Sequence, residues 1–432
     1  MHYRSCPRRT HALHTWLLRA CAVPTFYFGA LMTGAIAEVL PKVEFEPEFE
    51  QSDGSLSLTV NEESALEWSA AATERRFFTA ARNYADQMLA RGRDVYGKET
   101  PLFASMLTRE TYTLLDSPET NLPDMKPYGV RRHDRAWNGS NPMHDAQLYR
   151  LLYELTDITE ESQYAQAADD SLQYFFENAQ NPITGFLAWG EHMSWRLDAD
   201  QPQADREMLH EMLPWPLWDR AYQIAPRQSY RFALGLWNHQ MMNKATGDFS
   251  RHARYDTHAP RTGGSFPRYG ANMITVWTHG YKSSSHPMFQ QEMLTAIDTV
   301  LESYLQRIHP ETGALPAGTG RYGNNYLLVN NLLMTCELAT VADQLPPEMA
   351  AKIATLMEQT DATVFKLEHN LDGQIPGRPL GYVNRAYADT LEPGDPRKKT
   401  TNDYTTLWAS GYGAPLTSWV TTLLLDRYNS TQ

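Results

Sequence analysis

Apolar residues recur at spacings of three and four along most of the chain beyond Leu66. Phe77-Phe78, Ala81, Tyr84 and Met88 form one stripe, and Leu148, Leu151-Leu152 and Leu155 form a second. Leu172 with Phe175-Phe176, then Met293, Ile297, Val300-Leu301 and Leu305, then Leu416, Val420 and Leu423-Leu424 continue the pattern. Such spacing gathers apolar groups on one face of a helix and leaves the other face to water. Alternating Val/Ile/Thr-rich runs are scarce, so no major sheet is expected. Between Glu38 and Ala65 the chain is acidic, contains prolines and lacks either period, which predicts an extended arm.

Polar turns ending in glycine punctuate the helical pattern. Asn181-Pro182-Ile183-Thr184-Gly185, Asn243-Lys244-Ala245-Thr246-Gly247, His309-Pro310-Glu311-Thr312-Gly313 and Asn370-Leu371-Asp372-Gly373 place their glycines 62, 66 and 60 residues apart. That period is the length of two helices with their loops, the mark of a repeated supersecondary unit. The expected fold is therefore all-α, an α/α toroid of about six to seven helical hairpins, with inner and outer helices and a cleft built from loops at one end. It is expected to form one domain over residues 66–432. Two proline- and glycine-rich stretches, Pro260 to Gly270 and Pro376 to Pro396, predict long cleft loops.

The first 37 residues alter this picture at one end. Arg4, Arg8, Arg9 and Arg19 precede an apolar run from Ala20 to Ile36 and a small-residue exit at Ala35-Ile36-Ala37. This is the pattern of an export signal, so a mature chain beginning at Glu38 is expected in a periplasm or outside the cell. Its loss would discard Cys6 and Cys21 and leave Cys336 alone, excluding an internal disulfide. It would also leave 34 basic against 51 acidic side chains, a net charge of −17. So acidic a surface repels nucleic acid and anionic lipid, and no later apolar run is long enough to span a bilayer. The sequence fixes no oligomeric state. Against the acidic background, Lys244, Arg251, Arg254, Arg261, Arg268 and Lys282 stand among only Asp248 and Asp256. This one locally basic region points to an anionic substrate.

The candidate chemistry lies between Gly190 and His252. His192, Glu211 and His252 fall at the ends of segments that read as successive helices, and Arg251 directly precedes the last. Two imidazoles and a carboxylate suit Zn, Mn, Fe or Ni and leave positions for water or substrate. Their separations of 19 and 41 residues form no local motif, and His210, His239, His258 and His279 stand open as alternative ligands. Trp189 and Trp195 bracket the first ligand and are candidate platforms for sugar rings. Arg254, Arg261, Arg268 and Lys282 are candidate partners for carboxylates, and Arg321-Tyr322 lies in a loop rich in sugar-binding residue types. Ser140 or Asn141 in Trp137-Asn138-Gly139-Ser140-Asn141-Pro142 reads as a helix N-cap.

From Asn181 to Leu315 the chain resembles the pectate lyases of polysaccharide lyase family 2. Gly185-Phe186-Leu187-Ala188-Trp189-Gly190-Glu191-His192 resembles that family's Gly-Leu-Leu-x-Trp-Gly-Gly-His segment. His210-Glu211-Met212 through Pro216-Leu217-Trp218-Asp219 is similar to its His-Glu-Leu followed by Pro-Tyr-Tyr-Asp. Leu236-Trp237-Asn238-His239 leading to Arg251-His252 is similar to its Phe-Trp-Asn-Ala-His segment and closing Arg-His pair, and Ile308-His309-Pro310-Glu311-Thr312-Gly313 to its Arg-His-Pro-Lys-Thr-Gly turn. The sequence departs from the family at Glu191, at Pro214-Trp215-Pro216 and in the loops after His252.

The resemblance implies an α/α barrel that cleaves polygalacturonate by β-elimination with a transition metal, typically manganese. It implies His192, Glu211 and His252 as ligands and Arg251 as the base. In a uronate, loss of the C5 proton puts charge on the adjacent carboxylate, which a cation stabilises as the charge develops. A guanidinium ordinarily stays protonated, so the alternative is a carboxylate clamp at Arg251, with tyrosine or metal-bound hydroxide as base. Two other classes stand beside the lyase. A hydrolase on the same toroid would draw two carboxylates from Asp134, Asp145, Glu191, Glu211 and Asp256. A non-catalytic glycan-binding protein would bind without metal.

Overall fold

A computed structural model of the protein describes residues 50–52, 55–57, 70–114, 136, 138–203, 209–257, 264–394, 404–406 and 413–430. The expected signal over residues 1–37, most of the arm, Trp137, Asp134, His258 and Arg261 lie outside the described residues.

Ten helices order the described chain: α1 (Ala70–Arg91), α2 (Ala146–Thr159), α3 (Ser162–Asn178), α4 (Trp218–Ile224), α5 (Pro226–Gly235), α6 (Pro267–Ser283), α7 (Pro287–Arg307), α8 (Leu328–Ala339), α9 (Pro347–Lys366) and α10 (Gly413–Ser430). Their packing alternates between two layers. In α7, buried residues follow one face, Met293, Ala296-Ile297, Val300-Leu301 and Tyr304, as an outer helix requires. In α6, twelve of seventeen residues are buried, Tyr269 to Thr278 without a break, as in a helix enclosed on every side. The inner helices α4, α6, α8 and α10 pack in sequence, as do the outer pairs α3 with α5 and α7 with α9, while each of α5, α7 and α9 backs onto an inner neighbour. The architecture is the all-α, α/α toroid that the periodicity predicts. Every sheet among the described residues has two or three strands.

The connections are asymmetric. Inner-to-outer links are short: residues 160–161 join α2 to α3, residue 225 joins α4 to α5, and residues 284–286 join α6 to α7. Outer-to-inner links are long, running over residues 179–217, 236–266, 308–327 and 367–412. All four repeated turns sit at the start of these long links. Gly185, Gly247, Gly313 and Gly373 have φ of 76°, 68°, 76° and 76°, a left-handed conformation that a side chain would oppose. The period seen in the sequence is thus one turn repeated at the ends of successive outer helices. It delivers each long link to the same end of the ring.

An aromatic cluster supports that end. Trp189 lies within 6 Å of the rings of Phe175, Phe176, Trp215, Trp218 and Phe232, and is fully buried. The reading of Trp189 as a sugar platform is corrected by this burial, since no ring face is left for a ligand. Trp195 is 6 % exposed and offers none either. The Pro260 to Gly270 stretch is also not wholly a loop. Pro267 occupies the first turn of α6, where its missing N–H costs nothing, so Arg268 and Tyr269 are helical.

Candidate functional site

The three ligand candidates stand on or directly beside short extended segments, Glu211 in a bridge and His192 and His252 in adjoining bends, not on the helix ends that the sequence suggests. Strand β1 (Leu209–His210) pairs antiparallel with β2 (Ala253–Arg254), with Ala253 opposite His210. On the other flank Gly190 bridges Glu211 in parallel, and the Glu191 N–H donates to the Glu211 carbonyl at 3.0 Å. Three links far apart in sequence are therefore joined by backbone bonds at one level. Helix α5 does not run on to His252. It closes in a π-helical turn, Leu236–Gln240, and a hairpin of Met241–Asn243 with Asp248–Phe249 intervenes.

This lacing brings one ligand atom each of His192, Glu211 and His252 within 4.8 Å of one another. His192 Nε2 stands 2.9 Å from Glu211 Oε2, and His252 Nε2 meets the same oxygen. The two imidazoles lie edge to face, their centroids 5.2 Å apart. The Glu211 side chain is sealed, whereas those of His192 and His252 retain 13 % and 25 % exposure, so the group opens outward on the histidine side. Burial alone raises the Glu211 carboxyl, but hydrogen bonds with His192 and His252 and the charges of His252 and Arg251 outweigh it. They hold the group well below the usual carboxylate range. An ionised carboxylate between two imidazoles fits a divalent transition metal with open outward positions.

Other groups fix these ligands, and sequence reasoning missed their roles. The Tyr269 hydroxyl donates to Glu211 Oε1, the oxygen turned away from the histidines, and accepts from Arg268 Nη2 at 2.9 Å. Asn141, fully buried, donates through Nδ2 to the carbonyls of Gly190 and Met193, 2.8 and 2.9 Å away, and so grips the His192 loop from both sides. It is not the cap of α2; that position is Asp145. Gln240, at the end of the π-helical turn, donates to the Ser250 carbonyl at 2.9 Å and steadies the approach to Arg251 and His252. The sequence signals were the proline ahead of Arg268-Tyr269, which announces a helix start, and the Asn-Pro step at Asn141, which announces a turn.

The remaining candidates divide between the two ends of the ring. The Arg251 guanidinium lies over the Phe266 ring at 4.9 Å, beside the ligands. Arg254 is half-buried and pairs with Asp256 at 3.5 Å. Arg268, Arg321 and Tyr322 reach the same rim. Lys282 does not: it is in the last turn of α6, about 20 Å from Arg268 along the helix, and faces Asp219 at 3.7 Å. Its assignment as a substrate contact is thereby corrected. His279 also turns to Asp219 at that far end, 2.7 Å away. His210 is excluded as a ligand by its surroundings. It stacks on Phe186 at 4.4 Å, and burial pushes its pKa down to about 3.

Of the carboxylates open to a hydrolase, Asp145 is committed elsewhere. It accepts from Ser105, whose Oγ in turn accepts from the Asn141 N–H at 2.8 Å. Burial outweighs these bonds and raises Asp145 to about 7. Between about pH 4 and pH 7 the folded chain holds a proton there that the unfolded chain has released, so stability falls as pH rises through that window. Asp145→Asn is therefore expected to melt at a higher temperature than the parent at pH 8 and to lose that advantage at pH 4. Scanning calorimetry across this range checks it, and parallel melting curves for the two proteins would refute the assignment.

A family model described as periplasmic pectate lyase matches residues 119–302, a stretch containing all three ligand candidates and Arg251. It overlaps the resemblance read from the sequence over residues 181–302. A pectate disaccharide-lyase of Dickeya dadantii (strain 3937) is 28 % identical over 109 residues, covering 24 % of this chain and 20 % of that protein. The chain thus matches about a fifth of that relative's length. Among solved structures, a cellobiose 2-epimerase from Bacillus thermoamylovorans B4167 is similar at 11 % identity and TM-score 0.41, over 68 % of this chain and 74 % of that one. An unsaturated glucuronyl hydrolase from Bacillus sp. GL1 is similar at 14 % identity and TM-score 0.36, over 65 % and 74 %. Likenesses so distant carry no chemistry to this chain. No helix among the described residues is long and apolar enough to cross a membrane.

Proposed function

We propose that the protein is an exported, metal-dependent polysaccharide lyase that cleaves an acidic, uronate-containing glycan, pectate above all, by β-elimination. The observation that carries this reading is the convergence of His192, Glu211 and His252 on one point with Arg251 beside them. The match to a pectate lyase family model over that stretch supports it.

His192, Glu211 and His252 would hold the ion, manganese by the family likeness, with Zn, Ni or Fe admitted by the same donors. When bound, it supplies a positive charge for the uronate carboxylate and stabilises the charge that develops there. Arg251 acts at the adjacent carbon. In its neutral guanidine form it takes the C5 proton and becomes a guanidinium, the electrons of that C–H bond form the C4=C5 double bond, and the C4 oxygen leaves with its own bonding pair. Phe266 under the guanidinium fixes its direction and excludes water on one side. Tyr269 and Asn141 act before the reaction, holding Glu211 and the His192 loop where the ligands meet.

Polygalacturonate, alginate and glucuronate-containing glycans offered to the mature chain with chelator, Mn or Zn test the reading through ultraviolet absorbance of the unsaturated product. A rise on one uronate, only with metal, and a loss of at least about a hundredfold in kcat/KM for both His252→Ala and Arg251→Ala are expected. New reducing ends without absorbance, surviving chelation, would instead identify a hydrolase.

A further inference from the structure

The rim carries the tripeptide Arg-Tyr-Gly twice, as Arg268-Tyr269-Gly270 in the first turn of α6 and as Arg321-Tyr322-Gly323 in the link between α7 and α8. The two copies share one local geometry. Each guanidinium lies 4.8 Å over the ring of the following tyrosine, and each Nη2 donates to that tyrosine's hydroxyl at 2.9 Å. Phe266 joins the copies, edge-on to Tyr322 at 5.4 Å and tilted against Tyr269 at 6.2 Å. Arg251 rests on the same phenyl ring. Arg251 on Phe266, and Arg268 and Arg321 on the two tyrosines that pack against that ring, thus form one linked group beside the ligand cluster.

The copies differ in what lies beyond the tyrosine. The Tyr269 hydroxyl donates a hydrogen bond to Glu211, so Arg268 is coupled to the ligand cluster. Arg321 is exposed, in a short turn after the glycine repeat at Gly313, and stands further out. That turn is pinned near the Arg251-His252 segment. Asp248 accepts from Thr319 at 3.2 Å and from Ser265 at 2.8 Å, tying the Arg321 turn and the start of α6 to one carboxylate. Among the described residues, neither Arg268 nor Arg321 pairs with an acid, in a chain where acids outnumber bases 51 to 38. An arginine held on a tyrosine keeps its outer N–H groups aimed outward, ready for a planar anion. Arg321 also lies beyond the residues matched by the family model, so nothing in that match assigns it.

We infer that Arg321, seated on Tyr322, is a second carboxylate anchor. It takes a uronate further along the same glycan chain than the unit at the ligand cluster, so the protein favours blocks of consecutive uronates over chains in which they stand singly. This rests on the lyase reading.

The test compares kcat and KM of the parent, Arg321→Gln and Arg321→Lys on oligogalacturonates of increasing length and on the polymer, at low and high salt. Arg321 is exposed, so neither substitution disturbs the core. The ratio of variant to parent KM is expected to grow with chain length, to about tenfold on the polymer, as for one lost charge-assisted contact. Lysine should restore part of the loss, and salt should shrink it. A ratio that stays constant with length, or stays at one, overturns the anchor while leaving the lyase reading intact. Should the parent cleave no uronate, the lyase reading fails on its own. Calorimetric affinity for hexagalacturonate then decides the anchor: weaker binding by Arg321→Gln supports it, and equal binding overturns it.

Discussion

Gly190→Ala is expected to remove metal binding and catalysis together. Gly190 has a φ of 94°, a conformation that resists any side chain. A methyl group there would also lie 1.9 Å from the Glu211 carbonyl oxygen and 2.9 Å from its carbon, and both are backbone atoms that cannot swing aside. Because that carbonyl accepts the Glu191 N–H, the clash separates the His192 loop from the Glu211 strand, the two pieces that must meet. A destabilisation of about 2–4 kcal/mol is expected from strain and the broken bridge. Metal affinity should fall by more than a hundredfold, since a ligand displaced by an ångström no longer closes the set. Gly377→Ala is the matched control. Its φ is 73°, but nothing lies within 4 Å of the added carbon. Calorimetric titration with Mn beside circular dichroism checks both proteins, and a Gly190→Ala variant that binds Mn like the parent would overturn the assembly described.

The second large effect is at Glu211. Glu211→Gln keeps the shape of the side chain but removes the charge that both histidines face. Mn should raise the melting temperature of the parent, because an ion that binds only the folded state stabilises it by about 2.7 kcal/mol at a hundred times its dissociation constant. In Glu211→Gln this shift should vanish, and kcat/KM should drop at least about a thousandfold. Without metal the variant should melt below the chelated parent at neutral pH, since the hydrogen bonds and charges that favour the ionised Glu211 in the folded state are lost with the carboxylate. A preserved Mn-dependent shift would remove Glu211 from the ligand set.

The ring was readable in the sequence because its two signatures are local. Helical periodicity needs only neighbours three and four apart, and the Asn/His-x-x-Thr-Gly turn needs only a glycine at positive φ. The site was less readable because its geometry is made by backbone pairing between links 19 and 41 residues apart, which leaves no spacing rule. Likeness to a family named His192, Glu211 and His252; the residues alone left four other histidines open. The tryptophans around Trp189, and the burial of Trp195, show why two aromatic candidates moved to the core. A tryptophan beside a ligand in sequence is on the opposite face of an extended segment as readily as on the same one. Lys282 failed for the complementary reason. Fourteen residues of helix put Lys282 about 20 Å from Arg268, its neighbour in the charge pattern.

The four glycines of the repeated turn also bear on how such a chain can change over generations. Each marks a joint after which the polypeptide leaves the packed helices, travels over the rim and returns. Insertions, deletions or exchanges between one joint and the next inner helix therefore alter what the mouth of the ring recognises, while leaving the helical wall untouched. The link after Gly373, which returns through Tyr382 to Arg385, is the segment where a new glycan preference could arise without disturbing the ion's ligands.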